Sequence, residues 1–376
     1  MPTPLTWLEI DLAAIQYNLK QVRTLLGPKQ KILPVVKSNA YGHGLLAIAK
    51  ACLADKNVDG LCVVNLREAQ ELLAAGITQK PIFILSYYEF DAAAIITAST
   101  QGVTFPLYTH EQGLFLNSIG KKCHKPIAVH IKIDTGASRI GLLPSEALEF
   151  ARRAHSLPFL KITGFFSHFA SSESNYNYTK KQFDTFQVCL KKIREQGIDT
   201  GFEHISCSAA ALSFPKLAAA GVRLGLALYG LYPNEKLKKK IKLRSSLSWR
   251  TRLIQVKTLP PGTPIGYGGS AVTKRRTRLG ILPIGYNEGY DRSLSNKGIV
   301  LVAGERCPVI GRVCMNLTMI DLTDAPHTVE SGDQVTLLGS QGRQRVTADE
   351  LAELCGTINY EIVTRINSDI PRIYHH

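Results

Sequence analysis

The sequence predicts an α/β protein, a (β/α)8 barrel followed by a C-terminal, mostly antiparallel β domain. Three observations predict it. Between about residues 30 and 230, eight short apolar runs rich in β-branched residues alternate with stretches of helical period. A basic connector, Lys236–Arg244 (KLKKKIKLR), then ends that pattern. Beyond it, short apolar runs are separated by Gly and Pro, the texture of an antiparallel sheet.

The eight runs are Lys31–Val36, Gly60–Val64, Pro81–Leu85, Val103–Leu107, Ile127–Ile133, Lys161–Phe166, Glu203–Ser206 and Gly221–Leu224. Segments between them, such as Pro144–Ser156 and Asn177–Gly197, read as helices. Eight β–α units over about two hundred residues fit a closed barrel. A doubly wound open sheet is the structural alternative, but no G-x-G-x-x-G follows the first run. In the second region the expected strands are Arg252–Thr258, Arg278–Pro283, Gly298–Val302, Val309–Val313, Met319–Leu322 and Gln334–Leu338. One helix, Thr347–Leu354, opens on a threonine followed by acidic residues, as a capped helix does. The expected division is a barrel over 11–235 and a β domain over 245–376, with residues 1–10 packed on the β domain.

Composition narrows the function classes. A chain of 376 residues with 45% hydrophobic content can bury one large core and one smaller one. The start, MPTPLTWLEIDLAAI, lacks the basic and apolar regions of a secretory leader, and no apolar run approaches a membrane span. No membrane partner is expected. The eight cysteines form no C-x-x-C pair, which argues against a zinc ribbon or disulfide framework and leaves no metal site; a reducing cytoplasm fits. The net charge of +15 raises nucleic-acid binding as a candidate. The basic clusters, Lys236–Arg244 and Lys274–Arg276, are not interleaved with aromatics, so they read as solvated surface, not as a nucleic-acid site. The general positive field would still draw in anionic small molecules.

Active sites of barrels lie at the C-terminal ends of the strands. Lys37 follows the first run; Lys132 ends the fifth, with Asp134 and Arg139 just beyond; His168 follows the sixth, Ser208 the seventh, and Arg223 closes the eighth before Gly225. A partly desolvated lysine has a cheaper neutral amine, which favours Schiff-base formation with an aldehyde. Alone, Lys37 reads as a lysine snorkelling from a strand end. Its surroundings turn the reading towards chemistry, because Tyr41 and Ser208 can donate to a phosphate and amides near Gly225 can complete an anion nest.

These residues carry a resemblance. Val35–Gly44 (VVKSNAYGHG) resembles the attachment motif for pyridoxal phosphate (PLP) in alanine racemases. Further stretches are similar to the same family, in order: Asp134-Thr135-Gly136 with Arg139, Ser167–Ala170, Arg223-Leu224-Gly225 with Leu228-Tyr229-Gly230, Tyr267-Gly268, Gly285-Tyr286 and Gly311–Met315. The resemblance implies a barrel followed by a β domain, a head-to-tail homodimer with shared active sites, PLP as cofactor, a small amino-acid substrate, and a supply of D-alanine as cell-wall precursor.

It also implies roles. Lys37 would hold the cofactor and act as base on one face of the substrate; Tyr267, from the partner chain, would act on the other. A racemase needs two such groups, because the proton leaves one face and returns to the opposite one. Tyr41, Ser208 and Gly225 would hold the phosphate, and Arg139 would meet the ring hydroxyl. Met315 of the partner would sit near the substrate carboxylate, and Tyr286 would line the entrance. Arg223 would face the pyridine nitrogen, and His168 would link it to the Tyr267 side. Arginine keeps its proton, so that nitrogen would stay unprotonated, which limits side reactions such as transamination. Lys132 would be carbamylated.

Three positions depart from the family pattern: Cys207 for an asparagine, Asn316 for an aspartate, and Ser368 for a tyrosine. The last implies tolerance of serine alongside alanine. Two competing functions remain at this point: a basic amino-acid decarboxylase, opposed by Arg223, and a non-catalytic PLP carrier, opposed by residues 245–376.

Overall fold

The computed structural model describes residues 4–376. The chain divides into two compact units. The first comprises Ala14–Ala40 and Leu45–Arg244; the second comprises the chain up to Ala13, Tyr41–Gly44 and Ser245–His376.

In the first unit β1 (Lys31–Pro34), β2 (Leu61–Val63), β3 (Ile82–Ile84), β4 (Val103–Leu107), β5 (Ile127–Lys132), β6 (Leu160–Phe166), β7 (Phe202–Cys207) and β8 (Gly221–Leu224) form one parallel sheet. β8 returns to pair with β1, from Lys31↔Gly221 to Pro34↔Leu224. Parallel bridges Ile32↔Val58 and Val35↔Cys62 bring β1 against β2 and close the barrel. Buried side chains crowd these strands, as expected where helices cover the outer face. The helix Ala147–His155 shows why the intervening segments coil: Ala147, Phe150, Ala151 and Ala154 fall on one buried stripe, and its last turn carries Arg152, Arg153 and His155, which suits the helix dipole. The helix His110–Lys122 begins in a capping box between Thr109 and Gln112.

The basic connector is folded onto this unit. A short 3₁₀ helix, Glu235–Lys239, buries Leu237, and Ile241 is buried after it, while Lys236, Lys239, Lys240 and Lys242 stay exposed. The Asn18 side chain donates to Arg244 O and accepts from Arg244 N, each at 2.8 Å. These bonds carry the barrel unit to Arg244, past residue 235.

The second unit has a mostly antiparallel sheet. In spatial order its strands are Glu305–Pro308, Ile299–Val302, Gln334–Gln341, Leu247–Arg252, Thr6–Asp11 and Arg372–His375, with Gln344–Val346 paired to Gln334–Gln341. Thr6–Asp11 pairs antiparallel to Leu247–Arg252 and parallel to Arg372–His375. Of the N-terminal residues assigned to the β domain, 1–3 lie outside the described residues. A three-stranded sheet (Gln255–Leu259, Thr277–Leu282, Thr318–Asp321) packs a small core of Ile265, Leu279, Ile281 and Met319. The helix Ala348–Cys355 is capped by Thr347, whose side chain accepts from Glu350 N.

Two expected strands are not found where the pattern put them. Arg252–Thr258 splits, because Leu253 N turns to Asp333 O and Ile254 N to Ile281 O; one strand ends at Arg252 and another, in a different sheet, begins at Gln255. Val309–Val313 is not a strand: Gly311 takes a φ of +82° and gives its amide to the Asn296 side chain. The strand there is Glu305–Pro308, and Val309 adds only a bridge to Ile320. No helix among the described residues is long and apolar enough to cross a membrane.

Candidate active site

Lys37 leaves the barrel at the C-terminal end of β1. The amides of Val35 and Val36 still bond to Leu224 O and Cys62 O, and then the backbone changes hand. Ser38, Asn39, Ala40 and Tyr41 have φ of 54°, 52°, 51° and 54°, a left-handed turn that L-residues avoid. Side chains hold it. Glu68 accepts from Ser38 N at 2.6 Å and from Val64 N at 2.9 Å, and Asn39 accepts from Leu45 N at 2.8 Å. In the second unit, Arg372 Nε donates to Gly42 O at 3.0 Å. Gly42 (φ +83°) and Gly44 (φ +103°) have no room for a Cβ, which would strike Val363 O and the Tyr374 hydroxyl. Burial lowers the Lys37 pKa, and Arg139 and Arg223 add to this against the opposing charge of Glu68. Its neutral amine is therefore more accessible than that of a surface lysine.

The loops after β5 and β6 are braced by one helix, Tyr176–Arg194. Asp134 accepts from the amides of Gly136, Ala137, Ser138 and Arg139, which sets the backbone of Arg139. Burial alone would raise the Asp134 pKa; these four amides outweigh it and hold the carboxylate ionised. Tyr178 donates to Gly136 O at 2.8 Å. One turn on, buried Gln182 accepts from Ala170 N and donates to His168 O. Lys132, buried, places its amine 4.5 Å from the centre of the Phe166 ring. Burial, then Arg223 and Arg139, lowers its pKa to about 7.

Arg223 is buried at the end of β8 and is surrounded by acceptors. It donates to the carbonyls of Ser167, His204 and Ile205 and to Nδ1 of both His204 (2.8 Å) and His168 (3.0 Å). Beside it, Ser208 Oγ accepts from the amides of Gly225 (2.9 Å) and Ala227 (3.3 Å). Two backbone donors thus converge on one hydroxyl at the start of a 3₁₀ helix, Leu226–Tyr229, a donor set suited to a phosphate. Lys37, Lys132, Arg139, His168, Ser208, Arg223 and Gly225 all stand on or just beyond the C-terminal ends of the barrel strands; Tyr41 follows Ala40 but belongs to the second unit.

Three other expected site residues lie in the second unit and are exposed: Tyr267 (73%), Tyr286 (42%) and Met315 (56%). Tyr286 N bonds to Cys314 O and Asn287 N to Met315 O, so the two loops run side by side.

Residues 10–233 match the family described as alanine racemase, N-terminal domain, and residues 246–374 match alanine racemase, C-terminal domain. The chain belongs to the alanine racemase family. An alanine racemase of Halothermothrix orenii is 42% identical over 98% of this chain and 96% of its own length. One from Methanococcus maripaludis is 39% identical over 98% of each. Among solved structures, alanine racemase from Bacillus anthracis with bound L-Ala-P is 34% identical with a TM-score of 0.91, covering 100% of this chain and 96% of that one. Alanine racemase matches on both halves set aside the decarboxylase reading and the carrier built from a barrel alone.

Within the alanine racemase pattern, two departures have local explanations. Asn316 Nδ2 donates to Glu288 Oε1 at 2.8 Å, while Glu288 Oε2 accepts from Gly285 N. An aspartate there would set two carboxylates against each other. Cys207 Sγ lies 3.3 Å from Ser172 Oγ, within the range of a weak hydrogen bond. Ser368 is exposed in a turn whose carbonyls accept from Arg372. Sequence reasoning missed Glu68, Gln182, His130 and His204. Glu68 looks like an ordinary helix-start residue after Asn65, which does cap it.

Proposed function

We propose that this protein interconverts L- and D-alanine with pyridoxal phosphate as cofactor, using Lys37 and Tyr267 of a second copy of the chain as the two proton-transfer groups. The observation that carries the reading is the buried Arg223, charged and held by five hydrogen bonds near a lysine whose pKa is lowered. Pyridoxal phosphate, when bound, withdraws electrons from the substrate's Cα and so makes its proton removable. Lys37 would hold it and take or return that proton on one face. Ser208, the Gly225 amide and Tyr41 would hold its phosphate. Arg223 would present a permanent N–H donor to the ring nitrogen, and Arg139 would meet the ring hydroxyl. His168, receiving from Arg223 at Nδ1, has its own proton on Nε2 and would offer it towards the Tyr267 oxygen. Met315 and Tyr286 of the second copy would flank the substrate and narrow its entrance. Conversion of L-alanine to D-alanine by the PLP-loaded protein, followed by chiral chromatography, tests the activity; no conversion overturns it.

The two-base assignment has its own test. Tyr267→Phe is expected to reduce racemisation by about 10²-fold or more while leaving PLP bound. Exchange of the Cα proton with deuterated solvent should fall more for one enantiomer than for the other. Equal loss for both would sink the assignment.

Lys132 is expected to carry a carbamate. Burial and the neighbouring cations bring its pKa down to about 7, which makes the neutral amine accessible at neutral pH. The neutral nitrogen bonds to the carbon of CO₂ and loses a proton, turning a cation among Arg223 and Arg139 into an anion that orients Arg139. Protein equilibrated with ¹³C-bicarbonate should show a carbamate carbon resonance that Lys132→Ala lacks; a spectrum without it removes the idea.

By the resemblance, Ser368 stands where several members of the family have a tyrosine, and a smaller side chain would relax the limit on the substrate's own side chain. Serine is expected to be racemised, with alanine still preferred. Ser368→Tyr should depress the serine rate more than the alanine rate, and an unchanged ratio would show that Ser368 does not touch the substrate.

A further inference from the structure

Arginine has only donors, so every group that faces Arg223 must accept. That requirement reaches further than Arg223's own contacts. His204 Nδ1 receives the Arg223 bond, so the His204 proton is on Nε2. His204 Nε2 lies 2.8 Å from His130 Nδ1, so His204 donates and His130 accepts. The His130 proton is then also on Nε2. With His168 fixed in the same way, one guanidinium dictates the tautomers of three histidines drawn from β5, β7 and the loop after β6.

The rings cannot turn to escape this arrangement. His204 is stacked between Phe166 (5.0 Å, 5°) and Phe202 (4.9 Å, 16°). His130 lies against Phe83 at 5.1 Å, and both histidines are buried. The geometry points to His130 as a positioning residue: the far acceptor of a one-way hydrogen-bond chain, His130←His204←Arg223, that holds the Arg223 guanidinium in one orientation at the active site. Burial first, and then the Arg223 charge, lowers the His130 pKa to about 3 and drives His204 well below the ordinary histidine range. The chain therefore stays neutral at neutral pH and carries orientation, not charge. The functional part of this inference rests on the racemase reading; the tautomers do not.

Nitrogen-15 NMR of histidine-labelled holoenzyme tests it. Signals assigned to His130, His168 and His204 by single His→Gln variants should all report neutral rings protonated at Nε2, unchanged between pH 5.5 and 9. His130→Phe keeps a ring but removes the acceptor, leaving the His204 Nε2–H buried and unpaired. It is expected to shift the His204 signals and lower kcat about tenfold with little change in KM. His130→Gln, which restores an acceptor oxygen, should recover most of the loss. A Nδ1-protonated His130 or His204, titration of either between pH 5.5 and 9, or wild-type kcat in His130→Phe would each overturn the proposal. Loss of alanine racemisation by the unmutated protein would instead refute the reading of the site and leave the tautomer result standing.

Discussion

Lys37→Ala is expected to lower alanine racemisation by about 10⁴-fold or more, to the background of the assay. No other amine can take over the role. Lys132 is the nearest candidate by charge interaction, but it is buried with its amine over the Phe166 ring. The left-handed turn that presents Lys37 is held by backbone bonds to Glu68 and Asn39, which do not involve the lysine side chain. The variant should therefore fold, with a melting temperature at or above that of the cofactor-free parent, since a partly buried cation beside Arg139 and Arg223 has been removed. Loss of activity in a folded variant, with loss of the absorbance band of bound cofactor, is the expected result. Activity within tenfold of the parent would remove Lys37 from the mechanism.

Arg223→Leu should be nearly as damaging, by a different route. The substitution takes away the donor that Arg223 gives to three carbonyls and two histidine nitrogens, of which His204 O keeps the Ser167 amide. Each orphaned group costs about 1–3 kcal/mol, against a total stability of about 5–15 kcal/mol for a typical domain. Several kcal/mol of destabilisation are expected in urea unfolding, together with loss of racemisation. The pH dependence should change as well. His130, His168 and His204 are buried with pKa values held below 6.5, first by burial and then by the Arg223 charge. Between the folded and unfolded values the unfolded chain binds more protons, so their contribution is complete above about pH 6.5 and is lost as the pH falls below it. Without Arg223 their pKa values rise towards the unfolded value, and the acid slope of stability below pH 6.5 should flatten. A parent protein whose urea midpoint is level from pH 7 to 4.5 would contradict this account.

Much of the architecture was legible because apolar runs bounded by polar segments carry their own period. Val103–Leu107 and Gly221–Leu224 coincide with observed strands, and the other six barrel runs overlap theirs. The rim residues could be located once the strands were placed, since a barrel's chemistry sits at one end of each strand. The strand Leu247–Arg252 lies outside the expected runs except for Arg252, where the run Arg252–Thr258 begins, and tertiary bonds at Leu253 and Ile254 separate the two strands. His130 lies inside the run Ile127–Ile133 and His204 inside Glu203–Ser206, and no motif marks either. Strand parity offered a signal, because His130 is two residues before Lys132 and so shares its face of β5. What the sequence did not carry was the pairing of those histidines across strands, which depends on barrel register.

The four-residue segment Tyr41–Gly44 has an implication for how such a protein can be inherited. Its neighbours on both sides belong to the barrel, yet it packs with Val363, Arg372 and Tyr374. The strand Thr6–Asp11 likewise lies inside the second unit's sheet, at the opposite end of the chain from most of that unit. Neither unit corresponds to a contiguous stretch of gene. A break after Arg244 would strip the downstream product of an interior strand and leave Gly42 and Gly44 without Val363, Arg372 and Tyr374. The two halves are thus constrained to travel as one coding unit, and recombination that swaps one of them must carry compatible partners for both the N-terminal strand and the turn.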